Sequence, residues 1–339
     1  MPNKEVLLKV SNLKTYFPVK VPFRIGKRSV LKAVDDISLN LYKGETLGIV
    51  GESGSGKSTL GRTILKLVEP TDGEIIFEGQ HLEKLKSKAL QVHRNQMQMI
   101  FQDPFGSLNP RMRIEKIIEE PIKMHTTLTK SERKKRVVEL IEKVGLSEEA
   151  LKKLPHEFSG GQRQRIGIAR ALAINPKLII ADEPVSALDV SIQSQVLNLL
   201  LDLQDEFELT YLFISHDLSV IKHISDRVAV MYLGRIVEIA TKDSLYANPL
   251  HPYTKALLSA IPVVNFDQKR EEIPITGELP SPVDPPVGCA FHQRCPFAME
   301  KCKQNRPLLK EVNDQQQVAC FLYEEKEKKE NTVSSMVQV

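Results

Sequence analysis

Gly51, Gly56, Lys57 and Ser58 satisfy the spacing G-x(4)-G-K-S inside the stretch IVGESGSGKSTL, Ile49 to Leu60. Those residue types suit a polyphosphate. Gly51, Gly54 and Gly56 let successive backbone N–H groups turn inward, Lys57 can reach terminal phosphates, and Ser58 is placed to ligate Mg²⁺ at the start of a helix. Two carboxylates, Asp182 and Glu183, end the apolar run Leu178-Ile179-Ile180-Ala181. Asp182 is suited to hold Mg²⁺ through water, and Glu183 to orient or deprotonate a water that attacks a γ-phosphate. Gln102 follows the run Met97 to Phe101, and His216 follows Tyr211 to Ser215. A Gln there can bond Mg²⁺ or the attacking water, and a His at a strand's C-terminal edge stands where open α/β sheets bind ligands. Singly, such a Gln is an ordinary loop residue and such a His a structural one; the phosphate loop upstream gives both weight.

Two further clusters stand apart. Ser159-Gly160-Gly161-Gln162 opens a helix that continues through Ile166, Ala169 and Leu172. Its exposed N–H groups form a second anion-binding helix start, and one nucleotide has no obvious need of both, so this one is expected to serve a nucleotide held by another subunit. Cys289, Cys295, Cys302 and Cys320 are spaced C-x(5)-C-x(6)-C-x(17)-C. Four thiolates fit either Zn²⁺ or a [4Fe–4S] cluster, and the tight C-x(2–4)-C pair usual at zinc sites is missing.

The elements that must position these groups follow from periodicity. Residues 5–13 alternate as a strand, with Tyr16 and Phe17 after it; an aromatic there can stack on an adenine ring or simply pack in the core. Residues 18–30 carry Pro, Gly and several basic side chains and read as an exposed hairpin or loop insertion. Ile37, Leu39 and Leu41 alternate into the turn Lys43-Gly44-Glu45, and Thr46 to Val50 supplies the buried strand before the phosphate loop. Residues 111–173 read as helical, with a capping box at Thr129 and Glu132 and an apolar face of Val137, Leu140, Ile141 and Val144 that stops at Gly145. Another helix follows Asp189, buried through Ile192, Val196, Leu199, Leu200 and Leu203.

Composition limits the function. With 339 residues the chain has room for a large core and a smaller unit. A net charge of +4, with Lys and Glu intermixed, gives no case for nucleic acid. No apolar run is long enough to span a bilayer, and the start MPNKEVLLKV enters a strand pattern without a signal-type apolar block, from which a cytosolic protein is expected. Residues 274–288 contain five prolines, so the cysteine tail is expected to lack a large core of its own, a deficit that a metal centre would offset. From Glu324 onward the mixed-charge, then polar, sequence reads as a disordered tail.

The order of these pieces over residues 5–245 resembles the ATP-binding subunits of ABC transporters. The resemblance implies an α/β fold: an ABC-type P-loop nucleotide-binding domain with a RecA-like core, an antiparallel β-subdomain and an inserted helical subdomain, followed by a small Cys-containing C-terminal extension. It implies that Tyr16 stacks on adenine. Gly51, Glu52, Ser53, Gly54, Ser55, Gly56, Lys57, Ser58 and Thr59 match the Walker A loop, and Gln102 the Q-loop. Ser159, Gly160, Gly161 and Gln162 match the signature, Asp182 and Glu183 the Walker B pair, Asp189 the D-loop, and His216 the switch histidine. Phe158 stands where Leu is commoner, outside the phosphate-contacting SGGQ. Catalysis would then fall to Glu183, His216 and Gln102, with Mg²⁺ held by Ser58, Gln102 and Asp182, and two ATPs would be sandwiched between two such subunits.

A narrower resemblance lies in Phe101-Gln-Asp-Pro-Phe-Gly-Ser-Leu-Asn-Pro-Arg111, in Asn248-Pro-Leu-His-Pro-Tyr-Thr-Lys-Ala-Leu-Leu258, and in Gly277-Glu-Leu-Pro-Ser-Pro282 with its cysteines. These are similar to the oligopeptide/dipeptide importer ATPases of the OppF/DppF type. The implied activity is ATP hydrolysis driving peptide import from the cytoplasmic face of the cell membrane. The implied partners are a second, related ATPase (OppD/DppD type), two transmembrane permeases and an extracellular peptide-binding protein. The same resemblance implies a [4Fe–4S] cluster on Cys289, Cys295, Cys302 and Cys320. The expected division is an ATPase domain over 1–255 with its helical subdomain near 103–170, an extension over 256–323, and a tail over 324–339. The nearest rival is the energising subunit of a nickel or other small-solute importer. A soluble ABC ATPase acting on DNA or the ribosome generally carries two cassettes or a long coiled coil, and neither pattern is present.

Overall fold

The computed structural model describes residues 5–19, 29–260, 277–283 and 285–324. The first two strands, β1 (Val6–Val19) and β2 (Ser29–Tyr42), pair antiparallel, with Val10 opposite Leu39 and Leu13 opposite Ile37. Their apolar residues face one core. β1 runs past the stretch expected from alternation, because pairing with β2 continues through Tyr16 and Phe17 as far as Val19. The centre of the expected 18–30 hairpin, residues 20–28, lies outside the described residues.

Lys43 and Gly44 turn the chain into β3 (Thr46–Val50), in which all five residues are buried. A strand apolar on both faces belongs inside a parallel sheet covered by helices. The phosphate loop leads from it into α1 (Lys57–Ile64). β4 (Asp72–Phe77) and β5 (Gln80–His81) then complete a four-stranded antiparallel sheet in the order β2-β1-β4-β5. α2 (Ser87–Asn95) follows, and β6 (Met97–Ile100) joins the main sheet.

Three helices make the insertion: α3 (Ile114–His125), α4 (Lys130–Lys143) and α5 (Gly160–Leu172). α4 begins with the Thr129–Glu132 capping box, which satisfies two orphan donors at once. Its Val137, Leu140 and Ile141, with Val144 just beyond, are fully buried together with Ile118 and Ile122 of α3 and Ile166 of α5. Each contributes on the order of 1.5–3 kcal/mol over an exposed position, which fixes the three helices to one another.

The chain then returns through β7 (Leu178–Asp182), α6 (Val190–Phe207), β8 (Thr210–Ser215), α7 (Leu218–Ile224), β9 (Arg227–Tyr232) and β10 (Arg235–Thr241). α8 (Lys242–Ala247) and α9 (Pro252–Ser259) precede the cysteine segment, which holds α10 (Glu300–Gln304), β11 (Lys310–Asn313) and β12 (Gln316–Val318). The main sheet has the order β11-β12-β10-β9-β3-β8-β7-β6, and its strands from β9 through β6 are parallel. In such a sheet ligands bind at the carboxyl ends of the strands. Those ends carry the phosphate loop after β3, Gln102 after β6, Glu183 after β7 and His216 after β8.

Among the described residues the cysteine segment's Phe291 packs into the main core, and β12 pairs with β10, Val318 opposite Glu238, so the segment extends the ATPase sheet. α9 runs across residue 255, where the sequence suggested a division. Among the described residues no helix is long and apolar enough to cross a membrane.

Candidate functional site

The phosphate loop is shaped by close backbone approaches. Gly56 has φ 102°, and a Cβ there would lie 1.9 Å from the Ala33 carbonyl oxygen. At Gly51 a Cβ would lie 2.1 Å from the Met231 carbonyl oxygen. Only glycine fits either position. The Lys57 ammonium donates to the carbonyls of Gly51 (2.7 Å) and Glu52 (3.0 Å). Burial lowers its pKa, and the charges of Glu183, Asp182 and Glu52 act in the opposite sense. A polyphosphate would replace those carbonyls with fully charged acceptors.

Ser58 donates its hydroxyl to Asp182 Oδ1 at 2.6 Å. Asp182 is 1% exposed, and its Oδ2 has no hydrogen-bond donor, with Arg62 Nη2 3.7 Å away. Burial pushes this carboxyl's pKa up, while Ser58 and Arg62 pull it back. A buried carboxylate oxygen lacking a donor beside a hydroxyl is a donor set that suits Mg²⁺.

Glu183 sits at φ 47°, a left-handed conformation that costs a non-glycine residue free energy and is held here by its N–H donating to the Ile214 carbonyl at 2.9 Å. The twist aims the carboxylate out of the strand. Gln102 Nε2 donates to Glu183 Oε2 at 2.9 Å, and His216 Nδ1 lies 3.1 Å from the same oxygen. The sequence named these three separately; the structure brings them together on one oxygen. With Lys57, Ser58 and Asp182 they form one cluster.

Ser159 to Gln162 stand apart from that cluster, and among the described residues no hydrogen bond links them to residues 51–59. The Ser159 hydroxyl and Gln162 side chain make a capping box at the start of α5. Asp189 is exposed at the N-cap of α6 without a side-chain capping bond. The two helix starts touch: a Cβ on Gly161 would lie 2.4 Å from Ile192 Cγ2. Tyr16 is half-buried within β1, and its hydroxyl donates to Asp35 Oδ1 at 2.5 Å, Asp35 in turn pairing with Arg235 at 2.6 Å.

The four thiols are unpaired with one another as disulfides. Cys289 N–H donates to the Cys302 carbonyl at 2.8 Å, and Gly288, at φ 78°, leaves no room for a Cβ against that same carbonyl. Burial first, and then the charges of the neighbouring thiols, raise Cys289 to about 11 and Cys320 to about 12: Cys302 and Cys295 act on Cys289, and all three others on Cys320. Sulfurs are soft donors of the kind that thiophilic metal centres use, and such a centre would stabilise the thiolates that burial disfavours. Among the described residues, the His, Cys, Asp and Glu ligand atoms that lie mutually within 4.8 Å in groups of three or more are those of Glu74, His81 and Glu83. No trio of the sulfurs is drawn so close.

Two contacts were not foreseen. Tyr253 accepts the Glu52 N–H at 3.0 Å, and Arg294 Nη1 donates to both Glu52 carboxylate oxygens at 3.1 Å. Tyr253 was visible only as part of the Asn248–Leu258 stretch, and Arg294 carried no signal.

Comparison with known proteins agrees with this geometry. The family model "ABC transporter" matches residues 34–186, and "Oligopeptide/dipeptide transporter, C-terminal region" matches residues 237–302. Oligopeptide transport ATP-binding protein AppF of Bacillus subtilis is 57% identical over 95% of this chain and 98% of its own length. Dipeptide transport ATP-binding protein DppF of Escherichia coli is 52% identical over 96% of each. A dimeric, post-hydrolysis structure of the ATP-binding cassette MJ0796 with ADP and Pi superposes with a TM-score of 0.62 at 30% identity, over 69% of this chain and 98% of that one. The chain belongs to the ABC transporter family, as an ATP-binding subunit of its oligopeptide/dipeptide branch.

Proposed function

We propose that this subunit hydrolyses ATP to drive import of oligopeptides or dipeptides through a membrane permease. The observation that carries the ATPase part is the meeting of Gln102 and His216 on the Glu183 carboxylate, beside the phosphate loop. Lys57 and the loop amides would take the β- and γ-phosphates, and Ser58 and Asp182 would hold Mg²⁺, which supplies neutralisation of phosphate charge when bound. Glu183 then accepts a proton from the attacking water while Gln102 and His216 fix its direction. Tyr16 would support the adenine.

The lack, among the described residues, of any hydrogen bond between Ser159–Gln162 and residues 51–59 supports a site completed by a second ATPase, which we take to be a related but distinct subunit of the OppD/DppD type. Two permeases and an extracellular peptide-binding protein complete the assembly, holding this subunit at the cytoplasmic face of the membrane. We divide the chain into an ATPase domain (1–255, helical insertion near 103–170), a cysteine extension (256–323) and a tail (324–339), with α9 crossing the first boundary. We infer an iron–sulfur cluster there rather than Zn²⁺, because the tight C-x(2–4)-C pair usual at zinc sites is missing. That group would be held by Cys289, Cys295, Cys302 and Cys320.

Affinity purification from gently solubilised native membranes tests the assembly. Two permeases and a second ATPase should co-purify, and recovery of this subunit alone or with ribosomal proteins would overturn the reading. Iron and sulfide analysis of an anaerobic preparation tests the centre; zinc in their place would refute the cluster. Uptake of nickel rather than peptide by the same assembly would establish the rival importer.

A further inference from the structure

A carboxylate is an awkward residue for a phosphate loop. Glu52 lies next to Gly51, its backbone carbonyl accepts from Lys57, and its negative charge acts on the Lys57 ammonium that a triphosphate must also engage. Like charges at short range oppose binding, most strongly where water is scarce.

The cysteine extension answers that charge. Arg294 lies between Cys289 and Cys295, ends a short 3₁₀ turn (His292–Arg294), and is 8% exposed. Its Nη1 grips both Glu52 oxygens at 3.1 Å, and the Tyr232 hydroxyl lies 3.4 Å from the same nitrogen. Phe291, three residues earlier, is buried against Tyr232 and Tyr253 with ring centroids 5.3 and 5.4 Å away. Tyr253 takes the Glu52 N–H. His251, which caps α9, is in turn anchored by its own N–H to the buried Glu238 carboxylate at 2.8 Å. Glu52 is therefore fixed at its N–H by α9 and at its carboxylate by the cysteine extension.

We propose that Arg294 is a positioning residue for ATP: it neutralises Glu52 and draws its carboxylate away from the phosphate path, so that the cysteine extension sets the nucleotide affinity of the Walker A loop. The proposal rests on residues 51–59 being the ATP site.

The test is equilibrium binding of ATP with Mg²⁺ to the full chain, by calorimetry, for wild type, Arg294→Gln, Arg294→Lys and the double variant Arg294→Gln/Glu52→Gln. Arg294→Gln should raise the Kd about 5- to 20-fold, the range expected for a site-to-site coupling. Adding Glu52→Gln should restore it to roughly twofold of wild type, since the offending charge is then gone. Loss of a merely structural contact would not be rescued in that way. Arg294→Lys, which keeps the charge but loses the grip on both oxygens, should raise the Kd less than Arg294→Gln does and keeps the question open to refutation if Arg294→Gln does not fold. An unchanged Kd in Arg294→Gln, an unrescued double variant, or Arg294→Lys binding more weakly than Arg294→Gln would each overturn the proposal. Failure of the wild-type chain to bind ATP would instead overturn the assignment of the loop.

Discussion

Glu183→Gln separates proton transfer from everything else at the site. The amide oxygen can still accept from Gln102 Nε2, now 2.9 Å from Oε2, and the strained φ of 47° belongs to the backbone, so the geometry survives. What disappears is the base. Loss of a positioned general base costs about 10²- to 10⁴-fold in turnover, or about 2.7 to 5.4 kcal/mol of barrier at ~1.36 kcal/mol per decade. For comparison, a hydrogen bond to a charged acceptor is worth about 1.5–3 kcal/mol, so removing Gln102 alone should slow the reaction by only about 10- to 150-fold. ATP affinity should not fall, because a negative charge near the γ-phosphate has been removed. Single-turnover hydrolysis by the assembled transporter, with ATP binding measured in parallel, checks both expectations. Turnover within about threefold of wild type, well short of a base's contribution, would refute the role of Glu183. Loss of ATP binding in step with turnover would refute the separation.

Two more expectations follow from particular contacts. Gly161→Ala places a Cβ 2.4 Å from Ile192 Cγ2, so the start of α5 must give way by about 1 Å to reach ordinary contact; ATP binding by the single chain should be unchanged, while hydrolysis by the assembled pair should drop by about 10²-fold. His251 is neutral and fully buried, its pKa held down to about 3 by burial. The unfolded chain takes up that proton near pH 6.5 and the folded chain resists until about 3, so stability is complete above 6.5 and falls through that window by up to about 1.4 kcal/mol per pH unit. Denaturant midpoints between pH 7 and 5 should fall more steeply for wild type than for His251→Asn, which keeps an acceptor at the α9 N-cap; equal slopes would refute the buried neutral imidazole.

Local structure written in consecutive residues was legible before any coordinates. The Walker A loop, the Asp182–Glu183 pair and the Ser159 capping box each carry their own turn, strand or helix start, and local sequence suffices to specify those. Alternation also revealed β2, because its buried face shows it directly, and the unbroken apolar run revealed β3. Distance along the chain hid the rest. Tyr253 and Arg294 meet Glu52 from 201 and 242 residues away, and nothing in their neighbourhoods hints at a partner. β11 is exposed at every position and so carries no alternating pattern, and only its pairing with β12 reveals it. Glu238 reads as an ordinary strand carboxylate, although it is fully buried and holds the backbone of Leu250 and His251. The extent of β1 beyond residue 13 was missed for a related reason: register shifts between Val10 and Tyr16 break the period-2 signal while pairing continues.

The most direct test of the account is ATP-driven peptide uptake into proteoliposomes. These would contain the purified assembly with this subunit either wild type or Glu183→Gln, with the external peptide-binding protein supplied. The account predicts accumulation of a labelled di- or oligopeptide that requires ATP on the side bearing this subunit and that ceases with Glu183→Gln. ATP hydrolysis without peptide movement, or peptide uptake undiminished in the Glu183→Gln assembly, would contradict it.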